Sequence, residues 1–219
     1  MFVIWQNKKK LPFYFSTSKS KKCFDLIHVD LWRPYLIPSI HGHKYALTIV
    51  DDYSRYTWIF LLKQKSEVVK ILENFVVFAQ TQFETTIKII KSNNGTIFFM
   101  TNFFANKGII HQVSFVNTLQ QNGIVERKHG HILNLARALM IQSHLPKIYW
   151  SYSVIYVVHI INMFPTPLLN YFSPHEILYK IVANFNQLKV FGSLCYSSTS
   201  PTNRKQIWSN DIKMCFYCF

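Results

Sequence analysis

Acidic residues are scarce in this chain: 10 Asp and Glu stand against 24 Lys and Arg among 219 residues. Asp25, Asp30, Asp51, Asp52, Glu67, Glu73, Glu84, Glu126, Glu176 and Asp211 are the whole set. A calcium cage or an acid-rich metal cluster draws on several adjacent carboxylates, and a set this thin nearly excludes both. Charged residues amount to only 16%, whereas the 49% apolar share excludes a disordered chain. No internal repeat or low-complexity tract is present. No charge-free apolar run is long enough for an unambiguous membrane span of ~20 residues. The longest, Ile148 to Phe164, is interrupted by Ser151, Ser153, His159 and Asn162 and reads as a buried core helix. Only Phe2 to Trp5 are apolar before Lys8-Lys9-Lys10, which is not a signal-peptide pattern. Cys23, Cys195, Cys215 and Cys218 are therefore expected to be reduced thiols of an intracellular protein.

What the chain has in excess is positive charge. A formal balance of +14 points to an anionic partner, nucleic acid before a membrane surface, although scattered surface lysines alone could produce it. Residues 1–22 form a basic leader with no acid, read as a flexible flank.

From Asp25 the pattern turns to strands. FDLIHVDLW alternates, KYALTIVDD is nearly all apolar, and TWIFLL is aromatic and branched, with turn residues between them. Ser66 then opens a helix in which Val68, Leu72, Phe75, Val76, Ala79 and Phe83 share one face. IKIIKS (87–92) predicts a fourth strand ending in the turn Asn93-Asn94-Gly95. Further on come a short helix near Phe99 to Asn106 and a fifth strand at 108–115. A long helix from about Ile124 to Gln142 follows, then the apolar helix after Pro146, stopped by Pro165 and Pro167. One more strand is expected within LKVFGSLCYS (188–197). The order predicts an α/β protein with a mixed sheet and helices on both faces. The RNase H-like fold satisfies it, and so do several other α/β folds.

That order also places chemistry. Asp30 ends the first strand, the turn at Asn93 follows the fourth, and Glu126 opens the long helix. If the first and fourth strands pair, these positions converge on one sheet edge. Carboxylates from rigid elements are what two-metal phosphoryl transfer requires. The position after the fourth strand, however, is an amide.

HVDLWRP, YALTIVDDYSRYTWIFLLKQKSEV, KSNNGTIF, GIIHQVSF, TLQQNGIVERKHGHILNLARALM, LPKIYW and FGSLCY, in this order, resemble the integrase catalytic core of copia-type LTR retrotransposons. The resemblance runs from about Leu11 to Cys215. It implies an RNase H-like five-stranded sheet with a C-terminal helical extension. It implies a D,D,E polynucleotidyl transferase that uses Mg²⁺ or Mn²⁺ to join element cDNA ends to target DNA. Its partners would be those DNAs and further copies of the chain, in the nucleus, with no membrane and no small-molecule substrate. The implied divisions are a leader (1–22), the catalytic core (23–145) and an extension (146–219). The first catalytic acid falls on Asp30 and the glutamate on Glu126, the two expected metal ligands. Asn93 occupies the place of the second aspartate, and the interval from it to Glu126 is slightly shorter than the family's. Leu119, Ile97 and Arg33 also depart from the pattern, so the chain reads as a degenerate and truncated copy.

One unit charge at ~4 Å is worth on the order of 4 kcal/mol at an effective dielectric near 20, roughly a thousandfold in metal affinity. Loss of strand transfer is the expectation, and a non-catalytic nucleic-acid-binding or self-association module on the same fold is the alternative. Gln120, Gln121, Asn122, Arg127 and Lys128 are the expected DNA contacts, an amide-rich loop feeding a basic helix start. Asp51-Asp52 is read as a structural turn, and Cys215-x-x-Cys218, without a second ligand pair, as ordinary cysteines.

Overall fold

A computed structural model describes residues 20–114 and 123–193, together with the backbone of a strand pair at 195–197 and 213–215. The three β-rich runs form β1 (Leu26–Leu31), β2 (Tyr45–Asp51) and β3 (Thr57–Leu62) as an antiparallel meander. Chain reversal between β2 and β3 is compact because Arg55 takes a left-handed conformation at φ 60°. α1 (Glu67–Phe83) then carries the chain over one face of the sheet to β4 (Ile89–Ser92), which pairs parallel to β1. α2 (Thr101–Lys107) ends at Gly108, φ 66°, where a left-handed residue closes the helix at no steric penalty. β5 (Ile110–Val113) follows, parallel to β4. The sheet order is β3-β2-β1-β4-β5, so β1 is central and has both faces covered.

Each face has its own core. On one side, Val68, Leu72, Phe75, Val76 and Ala79 of α1 pack on Ile27, Val29, Leu47 and Ile49. These five are the buried residues of the apolar stripe expected of this helix, and Phe83 sits half-buried beside them. The opposite face is covered by α3 (Gly123–Gln142) and α4 (Trp150–Met163). There Ile132, Ala136, Trp150, Val154, Val157 and Val158 surround Trp32 and Ala46. The mixed five-stranded sheet with helices on both faces is thus the architecture.

α4 is a buried core helix. Its carboxamide at Asn162 accepts from Thr57 N at 2.9 Å and donates to Thr57 O at 2.8 Å, supplying the outer edge of β3 with a substitute partner. After Pro165 the chain forms α5 (Pro174–Tyr179), opened by a reciprocal Ser173–Glu176 cap. Among the described residues no single helix is long and apolar enough to cross a membrane.

The strand expected within 188–197 is present but shorter than that stretch. Only Cys195–Ser197 is a strand (β6), paired antiparallel with Lys213–Cys215 (β7). Residues 188–191 are diverted by a turn at Gly192, φ 80°. The stretch 115–122, the leader through residue 19 and Cys218 lie outside the described residues.

Candidate active site

Parallel pairing of β1 and β4 sets Val29 opposite Ser92, so the next residues, Asp30 and Asn93, reach the sheet edge side by side. Asn93 Nδ2 donates to Asp30 Oδ1 at 2.6 Å, and Leu31 N donates to the same oxygen at 2.9 Å. The other end of the amide is equally occupied, since Gly95 N donates to Asn93 Oδ1 at 3.1 Å. This network fixes which way the amide points, because the reverse orientation would set two acceptors against each other. Ser92 braces the turn from behind, donating to Asn93 O at 2.9 Å and meeting His111 Nε2 at 2.8 Å.

α3 crosses β1 and brings Glu126 to this edge in its first turn, exposed to solvent. Asp30, by contrast, is nearly enclosed. Burial pushes its carboxyl up to about 6, and the nearby charge of Glu126 adds to that rise. The Leu31 amide and the Asn93 side chain only partly oppose it. The fold therefore gathers Asp30, Asn93 and Glu126, three residues far apart in sequence, at one place.

One turn beyond Glu126 on the same helical face stands His129. Its Nδ1 is 3.4 Å from Asp30 Oδ2, and its ring meets Trp32 edge-on at 5.0 Å. Burial holds the imidazole down to about 3. It is therefore a neutral neighbour of the carboxyl and not a partner in an ion pair. Nε2 is buried with no hydrogen-bond partner among the described residues. His129 is not among the candidate site residues named from the sequence, and the structure turns it inward.

Of the expected DNA contacts, Gln120, Gln121 and Asn122 lie outside the described residues. Arg127 is exposed beside the helix start and folds back close to Gly123. Lys128 is half-buried and turned toward Arg55; burial, with the Arg55 charge added, lowers its ammonium to about 8.

Asp51 and Asp52 bind the β2–β3 corner. Asp51 accepts from Phe24 N, Ser54 N and Ser54 Oγ, each at 2.7 Å. Asp52 accepts from Ser20 N at 2.8 Å and faces His28 and Arg55 at 3.3 and 3.4 Å. Burial alone would raise Asp52, but the hydrogen bonds from His28 and Ser20 and the charge of Arg55 hold it well below the usual carboxylate range.

The donor set at Asp30 does not fit a divalent cation as it stands. Oδ1 is taken by two N–H donors, and Asn93 presents hydrogens where a ligand oxygen would be needed. Among the described residues no group of three or more His, Cys, Asp and Glu side chains is placed to hold a metal ion.

No protein-family model matches the chain. It is 36% identical over 209 residues to the retrovirus-related Pol polyprotein from transposon RE2 of Arabidopsis thaliana, a match covering 95% of this chain and 14% of that relative. A second relative, the Pol polyprotein from transposon TNT 1-94 of Nicotiana tabacum, is 26% identical over 218 residues, 98% of this chain and 16% of its own length. The chain thus spans about a seventh of the curated relatives it matches. Among solved structures, the magnesium complex of the HTLV-2 integrase catalytic core domain superposes with a TM-score of 0.54 at 16% identity. That match covers 73% of this chain and 99% of the other. A simian T-cell lymphotropic virus intasome, in complex with the PP2A regulatory subunit B56 gamma, gives 0.59 at 14% identity over 84% of this chain and 62% of that one. With this homology along nearly its whole length, the chain belongs to the retrovirus-related Pol polyproteins of copia-type transposons, and its sheet and helix arrangement has the fold of the integrase catalytic cores on which it superposes.

Proposed function

We propose that this segment derives from an enzyme of DNA strand transfer and that in this chain the reaction is lost while DNA binding remains. The observation that carries this reading is the 2.6 Å hydrogen bond from the Asn93 amide to Asp30. Joining a DNA 3′ hydroxyl to a phosphodiester builds negative charge on the transferred phosphorus oxygens, and enzymes of this class meet it with divalent cations. The magnesium in the HTLV-2 core structure supports such metal use for the fold family. In this chain the remaining acidic donors would be Asp30 and Glu126, one charge short. That deficit is on the order of 4 kcal/mol, enough to empty the site at ordinary metal concentrations.

The +14 balance supports DNA as the partner. Arg127, exposed at the helix start, would neutralise phosphate; Lys128, half-buried and turned toward Arg55, is not counted among the phosphate contacts. Such binding is salt-sensitive and needs no metal. Element cDNA ends and target DNA as the two substrates, assembly of several copies, and a nuclear site of action follow from the family and belong to the same proposal.

The test is a strand-transfer assay with Mn²⁺, a labelled element-end oligonucleotide and plasmid. The expected result is no joined product from this chain; product formation would overturn the reading. The second reading, a binding or self-association module with no residual chemistry, is favoured by the way the site closes on its own hydrogen bonds. It predicts that Asn93→Asp restores neither metal binding nor joining while DNA affinity stays unchanged.

A further inference from the structure

On the side of α3 away from Asp30, the side chains of Ile124, Lys128, His131 and Leu135 repeat at helical spacing and form one wall of a cavity of about 620 Å³. Arg55, from the β2–β3 corner, closes one side. The end of α4 and the turn after it supply Ile160, Phe164 and Leu168. Phe164 is 50% and Leu168 77% exposed, so the apolar part of the wall is open to solvent. No carboxylate lines the cavity. Asp52 touches Arg55 from behind, at 3.4 Å, and Lys128 has no ion-pair partner among the described residues.

We propose that this cavity is a docking site for an acidic peptide segment of a partner protein. Carboxylates would be received by Arg55, Lys128 and His131, and aliphatic side chains by Ile160, Phe164 and Leu168. Charge complementarity identifies the occupant. Cations at one wall and an apolar surface at the other require a ligand carrying both characters within a few ångströms. A peptide alternating carboxylate and aliphatic residues has that spacing. Duplex DNA does not: its phosphates lie on a convex polar surface and bring no apolar group. Single strands depend on several aromatic platforms for stacking, and the wall offers two rings, the Phe164 phenyl and the His131 imidazole. The cavity lies across α3 from Glu126, so a seated peptide leaves the Asp30 edge uncovered.

Fluorescence anisotropy on the full chain tests this, with a labelled peptide alternating Glu and Leu and a control alternating Glu and Ser. The Glu-Leu peptide should bind saturably, and the control at least about tenfold more weakly. Lys128→Met and Leu168→Asp should each weaken the Glu-Leu peptide by about tenfold or more, with thermal melts showing both variants folded. Equal binding of the two peptides, or folded variants that bind as well as the parent chain, would overturn the proposal. So would displacement by oligothymidylate whose own affinity falls equally in Lys128→Met, which would assign the cavity to nucleic acid. Peptide binding is read without metal or strand joining, so either result stands apart from the strand-transfer assay.

Discussion

The Asn93 amide is hydrogen-bonded to Asp30 across 2.6 Å, at the point where two parallel strands leave the sheet together. A second aspartate at this position would instead set two carboxylates face to face, tolerable only with a cation between them or a shared proton. The amide removes that need. It converts a repulsive pair, which a metal would have to relieve, into a closed contact that is stable on its own.

Asn93→Asp should therefore behave differently with and without metal. Without metal, loss of the hydrogen bond and the new repulsion should lower stability by about 1–3 kcal/mol. Added Mn²⁺ should raise the melting temperature of the variant and leave that of the parent chain unchanged. Thermal unfolding of both proteins with chelator and with Mn²⁺ measures this directly. A parent chain stabilised by Mn²⁺ as much as the variant would contradict it.

Asp30 gives a pH signature. Its carboxyl, held at about 6 in the fold, sits above its ordinary value of 3.8. Between those values the folded chain keeps a proton that the unfolded chain releases, so stability falls as pH rises through this window. Above pH 6 the buried charge costs about 3 kcal/mol. His129, held down to about 3, acts in the opposite sense and favours the fold as pH rises from 3 to 6.5. Within pH 4–6 these two contributions oppose each other. Asp30→Asn isolates the first effect: the variant should be more stable than the parent at pH 7.5 and should lose that advantage by pH 4. Denaturant unfolding at the two pH values decides it.

Much of this could be read from local pattern. The stripe Val68, Leu72, Phe75, Val76, Ala79 repeats at helical spacing, and the three opening strands are apolar or alternating runs set between recognisable turns. Asp30, Asn93 and Glu126 could be placed because each sits at the end of an element whose pairing followed from strand order. Other features were not visible because they depend on contacts between distant segments. The inward turn of His129 is set by the packing of α3 over Trp32, and nothing in ERKHGH distinguishes a buried histidine from an exposed one. Residues 188–197 had strand composition, but Gly192 turns the chain midway, and only Cys195–Ser197 beyond it enters a ladder. Asp51 and Asp52 could be assigned to a turn, yet the amides they serve, Phe24 and Ser20, lie far back in the chain.

Asp51 should be the more sensitive of that acidic pair. It is fully buried and satisfies three donors from two segments. Asp51→Ala leaves those donors unpaired in the interior and should destabilise by about 3 kcal/mol or more. Asp51→Asn keeps an acceptor oxygen and should lose less. Urea unfolding of the two variants gives the comparison, and equal losses would mean that the acceptor oxygen is not what matters.

Asn162 offers the sharpest test of how α4 joins the sheet. β3 is an edge strand, and at Thr57 its outward N–H and C=O would be orphaned beneath the helix. The Asn162 side chain meets both, acting as one residue of a missing strand. Leucine shares asparagine's branched four-atom skeleton, is bulkier and offers neither bond, so Asn162→Leu should destabilise by about 2–4 kcal/mol despite its greater hydrophobicity. Asn162→Gln, which keeps the amide but displaces it by one methylene, should fall between. Hydrogen exchange gives the local readout. The Thr57 amide should lose protection in Asn162→Leu while amides in β1, at the centre of the sheet, exchange only as fast as the global stability loss allows. Uniform loss of protection through all five strands would instead mean that α4 is held by its apolar face alone.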